Sequence, residues 1–345
     1  MALQSSGAIS LLDIATEFGG STPHSISEYY GAASGVPSSG EISFDDFYGT
    51  SNVIDAVNEG NINGQANIQE ATVSDYISSG GTFNIPANFW IWSDNVATPA
   101  LIIDIPCTII NNGFIIGKGG KGGNGQGTSG NTAQNGEDGG DAIKINSSVS
   151  NVTITNASGA YIAGGGGGGG ATQNGPDDAG GGGGAGGGNG GYSDNNTPNN
   201  FGTGGQLNAS GSDGTGGFGG DGGEGGGRGG YAFTNTSDSE YAGGGGGGGR
   251  ILPASTQADL TYGIVSFRDK GKGGGGGVAG GNGYESGNNS RGAGGGGWGA
   301  AGGTGDSATG GGTGGGSGGA AGKAIEDSGN TYTLNNSGTI YGATT

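Results

Sequence analysis

The chain is short of nearly everything from which a conventional hydrophobic core is built. Leu, Ile, Val and Phe together number 52 of 345 residues, below the roughly 20 % under which a strongly charged chain is usually disordered. A single cysteine excludes a disulfide framework and any multi-cysteine zinc or iron–sulfur centre. A single histidine excludes sites that need two. Eight prolines and no Gly-X-Y period exclude collagen. Basic residues are scarce: ten Lys and Arg stand against 29 Asp and Glu, for a net charge of −19, the wrong sign for nucleic-acid phosphates. Residues 1–117 carry twelve acids and no Lys or Arg. No apolar run approaches the roughly 20 residues of a membrane-spanning helix. The start, Met1-Ala2-Leu3-Gln4, has no secretory n- or h-region. An enzyme with one large core is therefore not expected, and neither is a metal or cofactor.

What is present is glycine, 97 residues of it. The shifts in charge and glycine content divide the chain into 1–51, 52–163, 164–322 and 323–345. The expected fold is mostly β and irregular. It has a small N-terminal helical module, an Ile-rich β layer (β-helix-like or a sandwich), and a polyglycine II helix bundle with connecting loops. The last segment returns strands to the β layer.

The first fifty residues repeat themselves. Ser5-Ser6-Gly7-Ala8-Ile9-Ser10-Leu11-Leu12-Asp13 is echoed by Ser38-Ser39-Gly40-Glu41-Ile42-Ser43-Phe44-Asp45-Asp46. Ser10 and Ser43 read as N-caps with acids in the first turn. A helix Leu11–Phe18 should stop at Gly19-Gly20. Ser25–Tyr30 forms a third short turn before Gly31. Helices this short need partners. The residues expected to attach the module to another protein are Leu12, Phe18, Tyr29, Tyr30, Phe44, Phe47 and Tyr48; a self-contained mini-domain is the alternative. The pattern SSGxISLxD…SGxISxxDFYG resembles a leader of many tailed-bacteriophage tail and tail-fibre proteins. That resemblance implies a virion protein whose partners are other phage tail proteins.

In the second segment, Thr82–Ile91, Ala100–Ile110 and Gly113–Ile116 are rich in isoleucine, which favours strands. Pro86, Pro99 and Pro106 break them into short pieces. Thr108–Gly117, Thr153–Gly164 and Tyr332–Gly342 repeat one pattern: strand, Asn/Ser–Gly turn, strand, glycine. Such turns mark hairpins or β-helix corners, and stacked copies can bury what one copy cannot.

Glycine runs follow at Gly164–Gly170, Gly180–Gly184, Gly243–Gly249, Gly273–Gly277 and Gly294–Gly297. Flexible linkers are one reading. The runs, however, share a short length, contain little serine and alternate with aromatic, Asn and Asp segments. Polyglycine II helices have three residues per turn and no internal hydrogen bonds, so their backbone groups must pair laterally. Such an array orders a chain without an apolar core. This architecture is similar to that of the receptor-binding adhesins at the tips of T-even-like phage fibres. The resemblance covers about 164–322, and it implies loops that touch the host at the far end of the glycine body.

If the helices alternate in direction, connectors 171–179, 231–242 and 284–291 share the distal end, and 192–213 and 250–272 the proximal one. Ile251, Leu252, Leu260, Ile264, Val265 and Phe267 suit the proximal, buried side. The candidate receptor contacts are Asp177, Asp178, Tyr231, Phe233, Tyr241, Tyr284, Glu285, Asn288 and Arg291, residue types suited to a host surface glycan or outer-membrane protein. End-capping of the glycine helices is the plainer reading of the aromatics.

Other chemistry is thin. Gly219–Glu224 has the composition of calcium turns without their period, and no run carries a phosphate-loop Lys-Ser/Thr. His24 and Cys107 read as structural, and Asp45-Asp46 as helix-terminus acids rather than a glycosidase pair. The sequence thus points to a virion tail adhesin, exposed to the medium, that binds no nucleic acid and spans no membrane. A homo-oligomer is compatible with this reading. A structural tail or baseplate protein touching only virion components is the alternative, and a depolymerase is disfavoured.

Overall fold

The computed structural model describes residues 3–20, 22–33, 35–50, 52–125, 133–172, 179–193, 200–215, 222–234, 240–242, 245–252, 271–286, 289–306 and 315–345, with backbone alone for 231–234, 240–242, 284–286 and 289. The N-terminal module opens with helix α1 (Leu11–Phe18), capped reciprocally by Ser10 and Asp13 and ended at Gly19. Two 3₁₀ turns, Ile26–Tyr29 and Phe44–Phe47, carry matching capping boxes, Ser25 with Glu28 and Ser43 with Asp46. They are single turns because an aromatic pair and a glycine follow each cap within six residues. Ile14, Tyr29 and Phe47 fill the module's small core.

Strands are short and numerous. They are β1 (Val53–Asp55), β2 (Gly60–Ile62), β3 (Gln65–Gln69), β4 (Ala71–Thr72), β5 (Thr82–Ile85), β6 (Trp90–Trp92), β7 (Leu101–Ile103), β8 (Thr108–Asn111), β9 (Phe114–Ile116), β10 (Ile143–Ile145), β11 (Val152–Asn156) and β12 (Tyr161–Ala163). Then come β13 (Tyr231–Thr234), β14 (Glu240–Ala242), β15 (Tyr284–Ser286), β16 (Asn289–Arg291), β17 (Ile325–Glu326), β18 (Tyr332–Asn336) and β19 (Thr339–Tyr341).

Three sheets, β1-β5-β8-β11-β18, β2-β3-β6-β9-β12-β19 and β4-β7-β10-β17, are visited in rotation. All their pairings are parallel except β2 with β3. The chain therefore winds as a solenoid. The Asn-Asn-Gly and Ala-Ser-Gly turns that allow a hairpin or a corner are corners: Asn112-Gly113 carries the chain from β8 in one sheet to β9 in the next. Pro86 and Pro106 also fall between strands, where no ladder donor is lost.

Stacking makes a core from few apolar residues. Ile68, Ile91, Ile115 and Ile162 lie in register and are fully buried, as are Phe83, Ile109 and Ile154 on the neighbouring sheet. Each such side chain contributes about 1.5–3 kcal/mol, so a narrow column suffices. At one corner the Asn111 amide donates to Asn156 Oδ1 at 2.8 Å, and the Asn156 amide to Asn336 Oδ1 at 2.9 Å. Asn156→Ala is expected to lower stability by about 2–3 kcal/mol, because it strands the Asn111 donor and removes a rung. Urea unfolding measures this, and a cost below about 1 kcal/mol would show the ladder to be dispensable.

The body grows from one corner of the solenoid. Between a strand of the second sheet and one of the third, successive coils insert 93–100, 117–142 and 164–324. In the run Gly164–Gly170, every N–H and every C=O is bonded to a neighbouring segment. Amides 165 and 168 donate to Gly140 and Glu137, 166 and 169 to Ala185 and Gly182, and 167 and 170 to Ala300 and Gly303. Carbonyls 165 and 168 accept from Gly322 and Gly319, 166 and 169 from Gly120 and Gly123, and 164, 167 and 170 from Gly299, Gly296 and Ala293. The partner thus repeats every third residue, and one run touches six segments. Two of these lie in 119–140, so that stretch, expected in the neck, is bonded into the glycine body; its own glycines at every third position permit it.

Glycine is required here by space. A Cβ on Gly168 would sit 1.9 Å from the Lys121 carbonyl oxygen, and on Gly170 1.8 Å from that of Gly316.

Candidate functional site

Gly164 follows β12 directly, so it marks the end of the body near the solenoid, and Gly170-Ala171 marks the far end. Levels elsewhere follow from the hydrogen bonds. Thr172 N–H donates to Ala179 O, and Ala171 N–H to Gln134 O. Gly125 N–H donates to Tyr192 O, and Ser193 N–H to Asn200 Oδ1. Thr215 N–H donates to Asn200 O, Gly292 N–H to Gly230 O, Gly230 N–H to Gly180 O, and Gly305 N–H to Gly316 O. The described flanks of connectors 126–132, 173–178, 194–199, 235–239, 287–288 and 307–314 thus gather at the far end, as does the leading flank of 216–221. Those connectors contain Asp177, Asp178, Asp194, Asp221 and Asp238, and no Lys or Arg.

The expectation for 192–213 needs correction. Tyr192 and Ser193 lie at the far end, not the near one. The stretch 180–191 is not one straight run but reverses at Ala185–Gly187, where Gly186 and Gly187 take φ of +101° and +79°. Only around Leu207 does this segment return to the solenoid, where the Asn63 amide donates to Leu207 O at 3.1 Å. In 250–272, Leu252 packs near the solenoid, whereas Gly271 accepts from Gly229 N–H at the far end. Leu260, Ile264, Val265 and Phe267 lie outside the described residues, as does the first part of Gly219–Glu224.

At the far end, segments expected as loops pair into an antiparallel sheet, β14-β13-β16-β15. Its register aligns Tyr231 with Arg291 and Tyr284, and Phe233 with Tyr241 and Asn289. Glu285 stands opposite Ser290. Five of the candidate contacts, Tyr231, Phe233, Tyr241, Tyr284 and Glu285, therefore share one sheet. Arg291 joins them in register, but its side chain is buried, its stem lying over Gly271. Asp177, Asp178 and Asn288 lie outside the described residues.

In the N-terminal module, Tyr29 and Phe47 are buried in its own core and Phe18 rests against both rings. They are not an open contact face, because three short helices have no other core to share. Tyr48 is half-buried, and its hydroxyl donates to Gly7 O. Leu12, Tyr30 and Phe44 are exposed. His24 Nδ1 sits 3.3 Å from the Tyr29 hydroxyl. Cys107 is buried, which together with nearby Asp104 pushes its thiol up to about 12.

Sequence patterning gave no sign of the junction between solenoid and body. Trp90, Trp92, Ile116, Leu207 and Trp298 form an apolar cluster there. Beside it, buried Arg250 stacks 4.7 Å over Trp92 and donates to Asp94 at 3.1 Å and to Gly205 O at 2.9 Å. Lys118 Nζ meets the same Asp94 oxygen at 2.7 Å. Burial pushes the Asp94 carboxyl up, but Lys118 and Arg250 outweigh it and hold the group below its ordinary value.

The glycine lattice thus holds many connector stems at one end, away from the solenoid. The model of the phage tail fibre adhesin Gp38 family matches residues 50–243, more than half of the chain. The chain belongs to this family; it is a receptor-binding adhesin of the virion tail. Among solved structures it is similar to the gp37–gp38 adhesin tip complex of the bacteriophage S16 long tail fibre, at TM-score 0.43 and 18 % identity over 96 % of this chain and 91 % of that one. Comparison with curated proteins finds no match.

Proposed function

We propose that the chain works as a three-part device. Residues 1–51 attach it to another phage tail protein, the solenoid (52–116, 143–163 and 323–345) is a rigid neck, and the body, 164–322 together with the inserted 117–142, presents its far end to the host. The observation that carries this is the gathering of connector flanks at the end opposite the solenoid. The glycine runs act as polyglycine II helices: the three-residue repeat of their hydrogen-bond partners is the repeat of that helix. The receptor is a host surface glycan or an outer-membrane protein loop, met by aromatic, Asn and acidic groups, and binding involves no catalysis.

Purified full-length protein is expected to bind host cells, and to lose at least tenfold in affinity when 235–239 and 287–288 are replaced by Gly-Ser segments of equal length. Flow cytometry with labelled protein tests this. Unchanged binding by the folded variant would move the contact to another connector group.

A further inference from the structure

Side chains at the rim of the glycine body mostly close the lattice. Asn135, Asp138 and Asp141, three residues apart, each turn a side-chain oxygen to a backbone N–H of a neighbouring segment, those of Ser317, Ala320 and Lys323, at 2.8, 2.6 and 2.7 Å. On the adjoining run, Lys118, Lys121 and Asn124 are equivalent steps, their carbonyls accepting from Gly140, Glu137 and Gln134. The Lys118 ammonium is used by Asp94. Asn124 is used twice: its amide donates to Gln134 Oε1 at 2.7 Å, and its Oδ1 accepts from Tyr192 N–H at 3.2 Å. Lys121 differs. Its ammonium stands 5.6 Å from the ring centroid of Tyr192 and 5.7 Å from that of Phe201. Among the described residues it has no hydrogen bond and no ion pair. A lysine offers donors only, and this one donates to no carbonyl, so closing the lattice does not account for it.

We infer that Lys121, Tyr192 and Phe201 form a subsite for an acidic sugar, a saccharide unit that bears a carboxylate or a phosphate. The inference rests on the host-binding reading given above and narrows its receptor to a glycan. The two rings flank a clamp in which Ser193 N–H donates to Asn200 Oδ1 at 3.0 Å and the Asn200 amide donates back to Ser193 Oγ. That clamp closes the base of connector 194–199, so rings and ammonium are placed before a ligand arrives, which lowers the ordering cost of binding. All three side chains are half-buried. The ammonium is thus partly shielded from water, where a bond to an anion is stronger, and still reaches the surface. The rings hold the cation without neutralising it, and its donors stay open to a carboxylate or phosphate. Their exposed parts suit the apolar C–H face of a sugar. Charge adds selection: the far-end connectors bring aspartates and no Lys or Arg, so an anionic group is repelled by them and accepted at Lys121.

The test measures full-length protein on lipopolysaccharide purified from the host, immobilised intact, dephosphorylated, carboxyl-reduced or treated both ways, by biolayer interferometry. The protein is expected to bind the intact material. Lys121→Gln should bind it about tenfold more weakly, the worth of one charge-assisted hydrogen bond, and Lys121→Arg should stay within about threefold of the protein. Removing the acidic group that is recognised should weaken the protein to the level of Lys121→Gln and leave that variant unchanged; the treatment that does so tells phosphate from carboxylate. Equal binding by the protein and Lys121→Gln would overturn the subsite. So would a deficit of Lys121→Gln that persists on material stripped of both groups, since it would show a merely structural lysine. Binding to host cells without binding to lipopolysaccharide would overturn the subsite too, and leave the adhesin reading standing with a protein receptor. Absence of binding to host cells would overturn that reading itself.

Discussion

Gly168→Ala is expected to cost about 3 kcal/mol or more, at the upper end of what overpacking does, and to lower the thermal midpoint by about 5 °C or more. One added methyl would stand 1.9 Å from the Lys121 carbonyl oxygen and 2.4 Å from its carbon. Neither can move alone, because the Lys121 segment is bonded on both sides: Lys121 O accepts from Glu137 N–H, and Gly122 N–H donates to Asn189 O. The substitution must therefore part several runs or expel Gly168 from the lattice, which breaks its bonds to Glu137 and Gly319. Gly159→Ala is the control. That glycine has nothing within 4 Å and a φ of +85°, so only backbone strain of about 1–2 kcal/mol applies. Equal loss in the two variants, read by differential scanning fluorimetry, would mean that the close lateral packing is not what holds the body together.

Asp94→Ala is expected to be the most damaging change at the junction of solenoid and body. It leaves the buried Arg250 guanidinium with only carbonyl acceptors, and Lys118 without its 2.7 Å partner. Removing one member of a fully buried ion pair costs about 3–5 kcal/mol. The Asp94 side chain is 53 % exposed, so solvent screening reduces the figure to about 2–3 kcal/mol. Arg250→Met should cost less, since Asp94 keeps Lys118 and the methionine still covers Trp92. The pH dependence has a definite sign. A carboxyl held below its ordinary value of 3.8 stabilises the fold above that value and stops doing so as pH falls through the lower, folded one. The stability gap between the protein and Asp94→Asn should therefore be constant near neutrality and close only in strong acid. A gap that closed at pH 6 would show that some other group controls the junction.

Much of the architecture was legible because it is written in local chemistry. Ser10, Asp13 and Gly19 bound α1 as capping rules require, and Ser43 and Asp46 bound the last turn. The Thr108, Thr153 and Tyr332 repeats pointed to recurring strands joined by hairpins or corners, and the parallel register of β8, β11 and β18 made them stacked coils. The glycine runs pointed to lateral backbone pairing, with flexible linkers as the alternative, because an ordered polyglycine II run has no partner for its amides within itself. Less was legible where a choice had equal local signals. A Gly-Gly step inside a run reads the same whether it continues or reverses, so the turn at Gly186-Gly187, and with it the end at which Tyr192 lies, was hidden. Nor does Arg291 differ in sequence from an exposed arginine; only the fold brings its stem against Gly271, twenty positions away, and buries it. The Arg250–Asp94–Lys118 node joins residues 94 and 250 with no pattern to connect them.

By itself, then, the sequence determined the kinds of structure this chain can use. Too few apolar residues for a broad core leave a narrow stacked column and a hydrogen-bonded glycine lattice as the ways to order it, and the capped serine turns fix a small module ahead of them. Which insertions leave the solenoid, which run lies beside which, and which connectors reach the far end were decided only by the tertiary structure. The physical reason is that every glycine amide and carbonyl is chemically alike. Local propensity cannot choose among such partners, and the selection falls to the whole lattice, which forms only where all the donors and acceptors meet at once.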